Sequence, residues 1–269
     1  MLGGELARVF SGHEVLPWDF ENLDITNEAE VMKKISALRP NVVINAAAYN
    51  NVDKAEEEKE KANLLNGRAV GFLAQAANVA DATLVHFSTD YVFLGKDKNG
   101  YEEDATPNPI SAYSESKFLG ETEASKANKF YLIRLSRLFG KMGTGLNAKK
   151  SFVDIVLDLS KTKNEIDVVD EEFSSPTYAP DLAERTKYIL ENNLPYGIYH
   201  AANSGACTWY EFAKEIFKLS GKNILVNPVS GEKFPRPAPR PKFSVLLNTK
   251  LPPMHDWREA LKEYLTFNI

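Results

Sequence analysis

Apolar and polar positions along the chain follow two different periods, and the switch between them marks the elements. The run Pro40-Asn41-Val42-Val43-Ile44-Asn45-Ala46-Ala47-Ala48 is short, apolar and β-branched, and similar runs recur at 83–88 and 130–135. Each reads as a buried strand. Glu14-Val15-Leu16 is a further expected strand nearer the N terminus. Between the strands the spacing becomes helical. The helix expected over 28–38 takes Thr26 as its N-cap, and the one over 62–79 carries Leu64, Leu65, Val70, Leu73 and Ala76 on one side. Strand–helix alternation predicts βαβ units. Right-handed crossovers then give an α/β fold with a Rossmann-like, doubly wound parallel sheet.

Beyond Gly140 the pattern changes. A glycine-rich turn at 140–145 precedes a helical run at 152–159 and a strand-like Val168-Val169, so a smaller α/β lobe is expected. Thr208-Trp209-Tyr210-Glu211 has the form of a capping box and opens a helix through Leu219. Seven of the 14 prolines fall within 228–253, interleaved with Arg236 and Arg240. Such density describes an irregular surface loop, which we read as a substrate lid. Helical spacing resumes over 257–267. The division this suggests is a dinucleotide-binding domain over 1–140, with segments of 175–205 returning to it, and a substrate lobe over 141–269.

Composition narrows the function. At 269 residues and 43% hydrophobic, the chain can build one sizeable core and a smaller one. Lys+Arg 32 against Asp+Glu 37 leaves a net charge of −5, which argues against nucleic acid and against a polybasic membrane anchor. No apolar run approaches the ~20 residues of a membrane span. One cysteine, Cys207, forms neither an internal disulfide nor a thiolate cluster, which fits a reducing cytoplasm.

The chemistry concentrates at two places. In Tyr113-Ser114-Glu115-Ser116-Lys117 the four-residue offset puts a phenol and an ammonium on one helix face. An adjacent ammonium favours the phenolate, so we expect it to draw the Tyr113 pKa down. The strand through Ser88 delivers Thr89 to the carboxyl edge of the sheet, where open α/β folds bind ligands. Thr89, Tyr113 and Lys117 therefore form the expected reaction centre. At Asn45-Ala46-Ala47-Ala48-Tyr49 small side chains would let a flat ring or ribose approach the backbone. Asp19, after the strand expected at Glu14, is placed to take ribose hydroxyls.

These residues carry a resemblance that spans the whole chain. Leu23-Asp24-Ile25-Thr26, Asn45-Ala46-Ala47-Ala48-Tyr49 with Val52-Asp53-Lys54-Ala55-Glu56, Ser88-Thr89-Asp90-Tyr91-Val92-Phe93, Tyr113 with Lys117, Ser175-Pro176-Thr177-Tyr178-Ala179, and Arg236-Pro237 through Ser244-Val245-Leu246 resemble the dTDP-4-dehydrorhamnose reductases, extended short-chain dehydrogenases. The resemblance implies reduction of the 4-keto group of dTDP-4-dehydro-β-L-rhamnose to dTDP-L-rhamnose by NADH or NADPH, with a nucleotide sugar as substrate and homodimerisation left open. It implies Tyr113 as proton donor, Thr89 on the keto oxygen, and Lys117 on the nicotinamide ribose while lowering the phenol's pKa. The cofactor would also meet Leu2, Gly3, Asp19, Asp24, Ile25, Asn45, Ala46, Ala47 and Tyr49. Substrate would meet Asp90, Arg137 and Arg240, the last on the pyrophosphate. Asp19 without a neighbouring arginine leans toward NADH.

The chain also departs from that pattern. Gly3 stands where the last glycine of a Gly-x-x-Gly-x-x-Gly turn is expected, so the first strand and most of the turn are missing from this reading. Either Met1 is internal to a longer reading frame, which we favour, or the chain is a true fragment. A missing central strand would leave its neighbours about 10 Å apart, two of the usual ~4.8 Å spacings. Arg137 replaces a tryptophan common in the family, and Asn50-Asn51 replaces Thr-Ala. Glu5, Asp170, Glu171 and Glu172 are read as solvated carboxylates and no metal is expected. Two rival readings are a non-catalytic subunit resembling the regulatory β subunit of methionine adenosyltransferase, and a nucleotide-sugar epimerase or dehydratase.

Overall fold

The computed structural model describes residues 1–145 and 148–268. In chain order its helices are α1 (Leu2–Val9), α2 (Glu28–Leu38), α3 (Lys59–Asn63), α4 (Ala69–Ala80), α5 (Ala112–Ala124), α6 (Phe152–Leu159), α7 (Ala179–Glu191), α8 (Trp209–Leu219) and α9 (Trp257–Asn268). The strands are β1 (Val42–Asn45), β2 (Thr83–Thr89), β3 (Phe130–Leu135), β4 (Leu138–Phe139), β5 (Glu165–Val169), β6 (Thr177–Tyr178), β7 (Gly197–His200) and β8 (Leu225–Val229).

The main sheet has the order β1-β2-β3-β7, and every pair in it is parallel. Side chains alternate across it. Val85, Phe87, Tyr131 and Ile133 pack with Leu2, Leu6 and Val9 of α1 and Leu182, Ala183 and Ile189 of α7. The opposite face meets α2, α4 and α5, through Leu84 with Val31, Ile35, Val70 and Leu73. Both faces are thus covered, which is why the strands read as continuous apolar runs. Helix α5 lies very close to the turn at Leu64–Arg68 and to β2. A Cβ at Gly120 would sit 2.1 Å from the Asn66 carbonyl oxygen and 3.1 Å from His86 Nε2, so glycine is what permits the approach.

A second core gathers α6, α8, α9 and the two-stranded β5-β8 sheet around Phe139, Phe212, Ile216, Trp257 and Leu261. Between the two cores lies the short β4-β6 pair. The capping boxes that open α6 (Ser151 with Asp154) and α8 (Thr208 with Glu211) each contribute on the order of 1 kcal/mol to those helix starts.

Several expectations are corrected. Residues 14–16 form no strand, and the segment runs irregularly into a turn at Asp19. Consequently β1 is the edge of the described sheet. The N-cap of α2 is Asn27, whose side chain accepts from Glu30 N, while Thr26 is occupied with Asp24. The helix expected over 62–79 is broken into α3, a π-helical turn at Leu64–Arg68, and α4. The proline-dense stretch begins inside β8, where Pro228 pairs opposite Val168 on a two-stranded sheet. Of the 140–145 turn's successors, Leu146 and Asn147 lie outside the described residues.

Candidate active site

Thr89 ends β2 at the carboxyl edge and caps the short turn Asp90–Val92, accepting from Tyr91 N at 3.2 Å. Helix α5 begins beside it. Ser111 and Ser114 form a capping box with their hydroxyls 2.9 Å apart, and Ala112 N donates to Glu56 Oε1 at 2.8 Å. That fixed start sets the direction of the first turn, and with it Tyr113 and Lys117. Tyr113 is buried and packed edge-on against Tyr91, with the Thr89 hydroxyl close enough to act on its titration. Lys117 is buried as well and donates from Nζ to the Phe87 carbonyl at 2.6 Å.

The electrostatics differ from the expectation in one respect. Burial raises the Tyr113 pKa above its ordinary value, and the charge of Asp90 raises it further, while the nearby Thr89 hydroxyl opposes both. The shift is upward, so the phenol stays a proton carrier rather than ionising; the expected lowering by Lys117 is not what dominates here. Burial instead lowers Lys117 to about 8, against the opposing charge of Glu121. Asp90 is pushed up by burial, with the Ser244 hydroxyl, Arg137 and Thr89 working against the shift.

The proline-dense loop covers this edge and is tied down at several points. Ser244 Oγ donates to Asp90 Oδ2 at 2.5 Å, and Leu247 N to the Tyr101 carbonyl at 2.8 Å. Arg240 donates to Asp53 Oδ2 at 2.8 Å and to the Ala238 carbonyl at 2.6 Å, and Ala238 N donates to Asp53 Oδ1. In this structure the Arg240 guanidinium holds the loop against the segment that follows β1. Arg236 pairs with Glu172, which also accepts from Trp209 Nε1 at 3.0 Å. Glu172 is buried, not solvated as expected, because Arg236 neutralises it and Trp209 donates to it from the other side.

Arg137 has a left-handed backbone (φ 44°), unusual for a residue with a side chain. Its guanidinium stacks 4.0 Å over Trp209 and donates to the Cys207 and Glu172 carbonyls at 2.9 and 2.6 Å. Asp90, Arg137, Glu172 and Trp209 thus form one wall near Thr89.

The residues expected at a cofactor are placed as follows along the chain. Asn45 is buried at the end of β1, its amide set by Ala47 N (3.1 Å) and His86 (3.2 Å), with Ala46 and Ala47 exposed beyond it. Tyr49 turns its hydroxyl to Glu58 at 2.9 Å, and burial followed by that bond raises its pKa to about 12. Leu2 is buried in α1, while a Cβ at Gly3 would meet nothing within 4 Å. Ile25 packs on the α2 and α4 core, and Asp24 accepts from Thr26 in a local turn. Asp19 is exposed and accepts from Glu21 N at 3.1 Å in a turn of its own. Among the carboxylates considered for a metal, Glu5 pairs with Arg8, Asp170 accepts from Thr208, and Glu171 faces Gly231 N. Sequence reasoning missed Asp53, Glu172, Ser244, Glu121 and Arg134. Only Glu121, four residues beyond Lys117, carried a local signal.

Small exposed side chains beyond β1, a strand-end hydroxyl and a helical Tyr-x-x-x-Lys pair, all at the carboxyl edge of a Rossmann-like sheet, make the site of a nicotinamide-dependent oxidoreductase. Comparison with known proteins takes the assignment further. The chain belongs to the family described as RmlD substrate binding domain, whose model matches residues 1–268. A dTDP-4-dehydrorhamnose reductase from Clostridium acetobutylicum superposes with a TM-score of 0.93 at 39% identity, over 99% of this chain and 95% of that one. The dTDP-4-dehydrorhamnose reductase of Bacillus anthracis, solved in complex with NADP, gives 0.90 at 36% identity, over 98% and 95%. The spore coat polysaccharide biosynthesis protein SpsK of Bacillus subtilis is 38% identical over 98% of this chain and 93% of its own length.

Proposed function

We propose that this chain reduces the 4-keto group of dTDP-4-dehydro-β-L-rhamnose to give dTDP-L-rhamnose, with NADPH or NADH, for polysaccharide assembly in the cytoplasm. The observation that carries this reading is the burial of Tyr113 beside Thr89 at the sheet edge, one helical turn from Lys117. The residues suit a dinucleotide: Ala46 and Ala47 leave the edge after β1 uncrowded, and Asn45 and Lys117 place polar groups below it. Leu2 and Gly3 at the start of α1, Asn45 to Ala47, and Lys117 would hold it. When bound, the nicotinamide supplies the hydride.

The chain's own groups handle the oxygen. Reduction builds negative charge on the carbonyl oxygen, and donors aimed there stabilise the transition state more than the ground state. Tyr113 Oη gives its proton to that oxygen, and Thr89 Oγ1 hydrogen-bonds it. Burial of Tyr113 keeps the proton on the phenol until the stronger base forms. The charged Lys117 offsets the phenolate left behind, and the loop tied at Asp90 and Asp53 excludes water. The test is loss of reduced nicotinamide absorbance with enzymatically prepared keto sugar. Turnover that requires the sugar supports the reading. No oxidation with either cofactor would refute it.

A further inference from the structure

Beneath the reaction centre, on the sheet face covered by α5, lies a buried ion pair. Arg134 of β3 donates from Nε to Glu121 Oε1 at 2.9 Å and from Nη2 to Oε2 at 2.7 Å, with the side chains 1% and 4% exposed. Ser88 Oγ adds a 2.6 Å bond to Oε1. Strand register explains the meeting. Ser88 and Arg134 are direct partners across β2 and β3, and both point at α5. Arg134 is held from behind by the Glu103 carbonyl at 3.2 Å and by the ring of Phe93 at 5.0 Å, beside His200.

Such a pair is costly to bury and is weak evidence for stability in itself. Its location suggests another use, since Glu121 is the residue four beyond Lys117 on the same helix. We propose that Glu121, fixed by Arg134 and Ser88, is a positioning residue that keeps the Lys117 side chain charged in its buried site.

Burial without an anion can bring a lysine to a pKa of about 5–6, neutral at working pH. Lys117 has Tyr113 and Glu121 on its own helix and, from β2, the Phe87 carbonyl and His86; Arg134 of β3 stands behind Glu121. His86 is no anion, being kept neutral by burial and then by Lys117 itself. Of these groups Glu121 alone carries negative charge. Its effect opposes the burial that brings Lys117 to about 8. A neutral lysine would neither offset a phenolate nor present a cation to a ribose, so the inference rests on the proposed reduction for its purpose.

The test is a titration of lysine Cε by NMR in the protein without cofactor, the Lys117 signal being assigned with Lys117→Arg. The wild-type midpoint is expected near 8. Glu121→Gln should move it down by about one unit or more. Arg134→Met should move it up, because Glu121 is then unneutralised, and Arg134→Lys should leave it close to wild type. A merely structural pair would lower thermal stability in these variants without ordering the midpoints. A wild-type midpoint at the ordinary lysine value or near 5–6, or one indifferent to Glu121→Gln, overturns the proposal. Should Glu121→Gln not fold, a midpoint that fails to rise in Arg134→Met overturns it equally. The titration needs no turnover. Ordered midpoints in a protein that reduces no keto sugar would refute the reaction and leave the role of Glu121 standing.

Discussion

Replacing Tyr113 with phenylalanine removes one oxygen from the proposed reaction and almost nothing else. The ring keeps its place against Tyr91, and Thr89 Oγ1 retains Asp90 Oδ1 at 3.1 Å and Tyr91 N at 3.2 Å. No buried hydroxyl is orphaned, so stability should change by no more than about 1 kcal/mol. The rate should fall far more. Loss of a general acid costs roughly 10²–10⁴-fold, or ~3–5 kcal/mol in the barrier. Because burial and Asp90 hold the phenol above its ordinary pKa, the wild-type rate should show no limb from Tyr113 ionisation at neutral or mildly alkaline pH. The assay is the initial rate of reduced nicotinamide oxidation with keto sugar, beside a fluorescence titration of cofactor binding. A variant within about tenfold of wild type, or one whose loss is explained by weakened cofactor binding, would refute the assignment.

Lys117→Met should abolish turnover yet stabilise the fold, since an ammonium held near 8 rather than 10.5 costs up to about 3 kcal/mol when charged. The unfolded chain binds the extra proton between those values, so wild-type stability recovers as pH rises and the variant's advantage, read by urea unfolding, should be largest below pH 8 and shrink toward 10. If Arg240 serves as a tether, Arg240→Ala and Asp53→Ala should raise KM alike and the double variant should be no worse than either. Additive effects in that cycle would return Arg240 to the substrate. Burial lowers His200 to about 4 and His86 well below its usual value, so unfolding should become easier as pH falls below about 6.5, where only the unfolded imidazoles take protons. His200→Asn should flatten that slope, and an unchanged slope would discount the histidine.

Much of this arrangement was legible from local pattern. The strands at 42–45, 83–89 and 130–135 are short and β-branched because both sheet faces are covered, and the Tyr113–Lys117 offset needs nothing beyond helical geometry. Failures came where a long-range partner decides the outcome. The pair of acids before Phe173 reads as solvated, yet Trp209 and Arg236 bring Glu172 inside. Nothing in the sequence near Arg240 announces its partner Asp53, 187 residues away. The π turn at Leu64–Arg68 is invisible to a 3.6-residue period, although it aims Asn66 at Tyr49 N (2.7 Å) and at Ser116 (2.9 Å). Glu14-Val15-Leu16 has the composition of a strand but remains irregular, and Asp19 follows it into a solvent-facing turn.

Incubation of the keto sugar with reduced nicotinamide deuterated at its transferable position, followed by mass spectrometry and NMR of the dTDP-sugar, is the most direct trial of the central claim. The account predicts one deuterium, located at sugar C4, in wild type and its near absence in Tyr113→Phe over the same time. Product formed without label, or label at any other carbon, would contradict it.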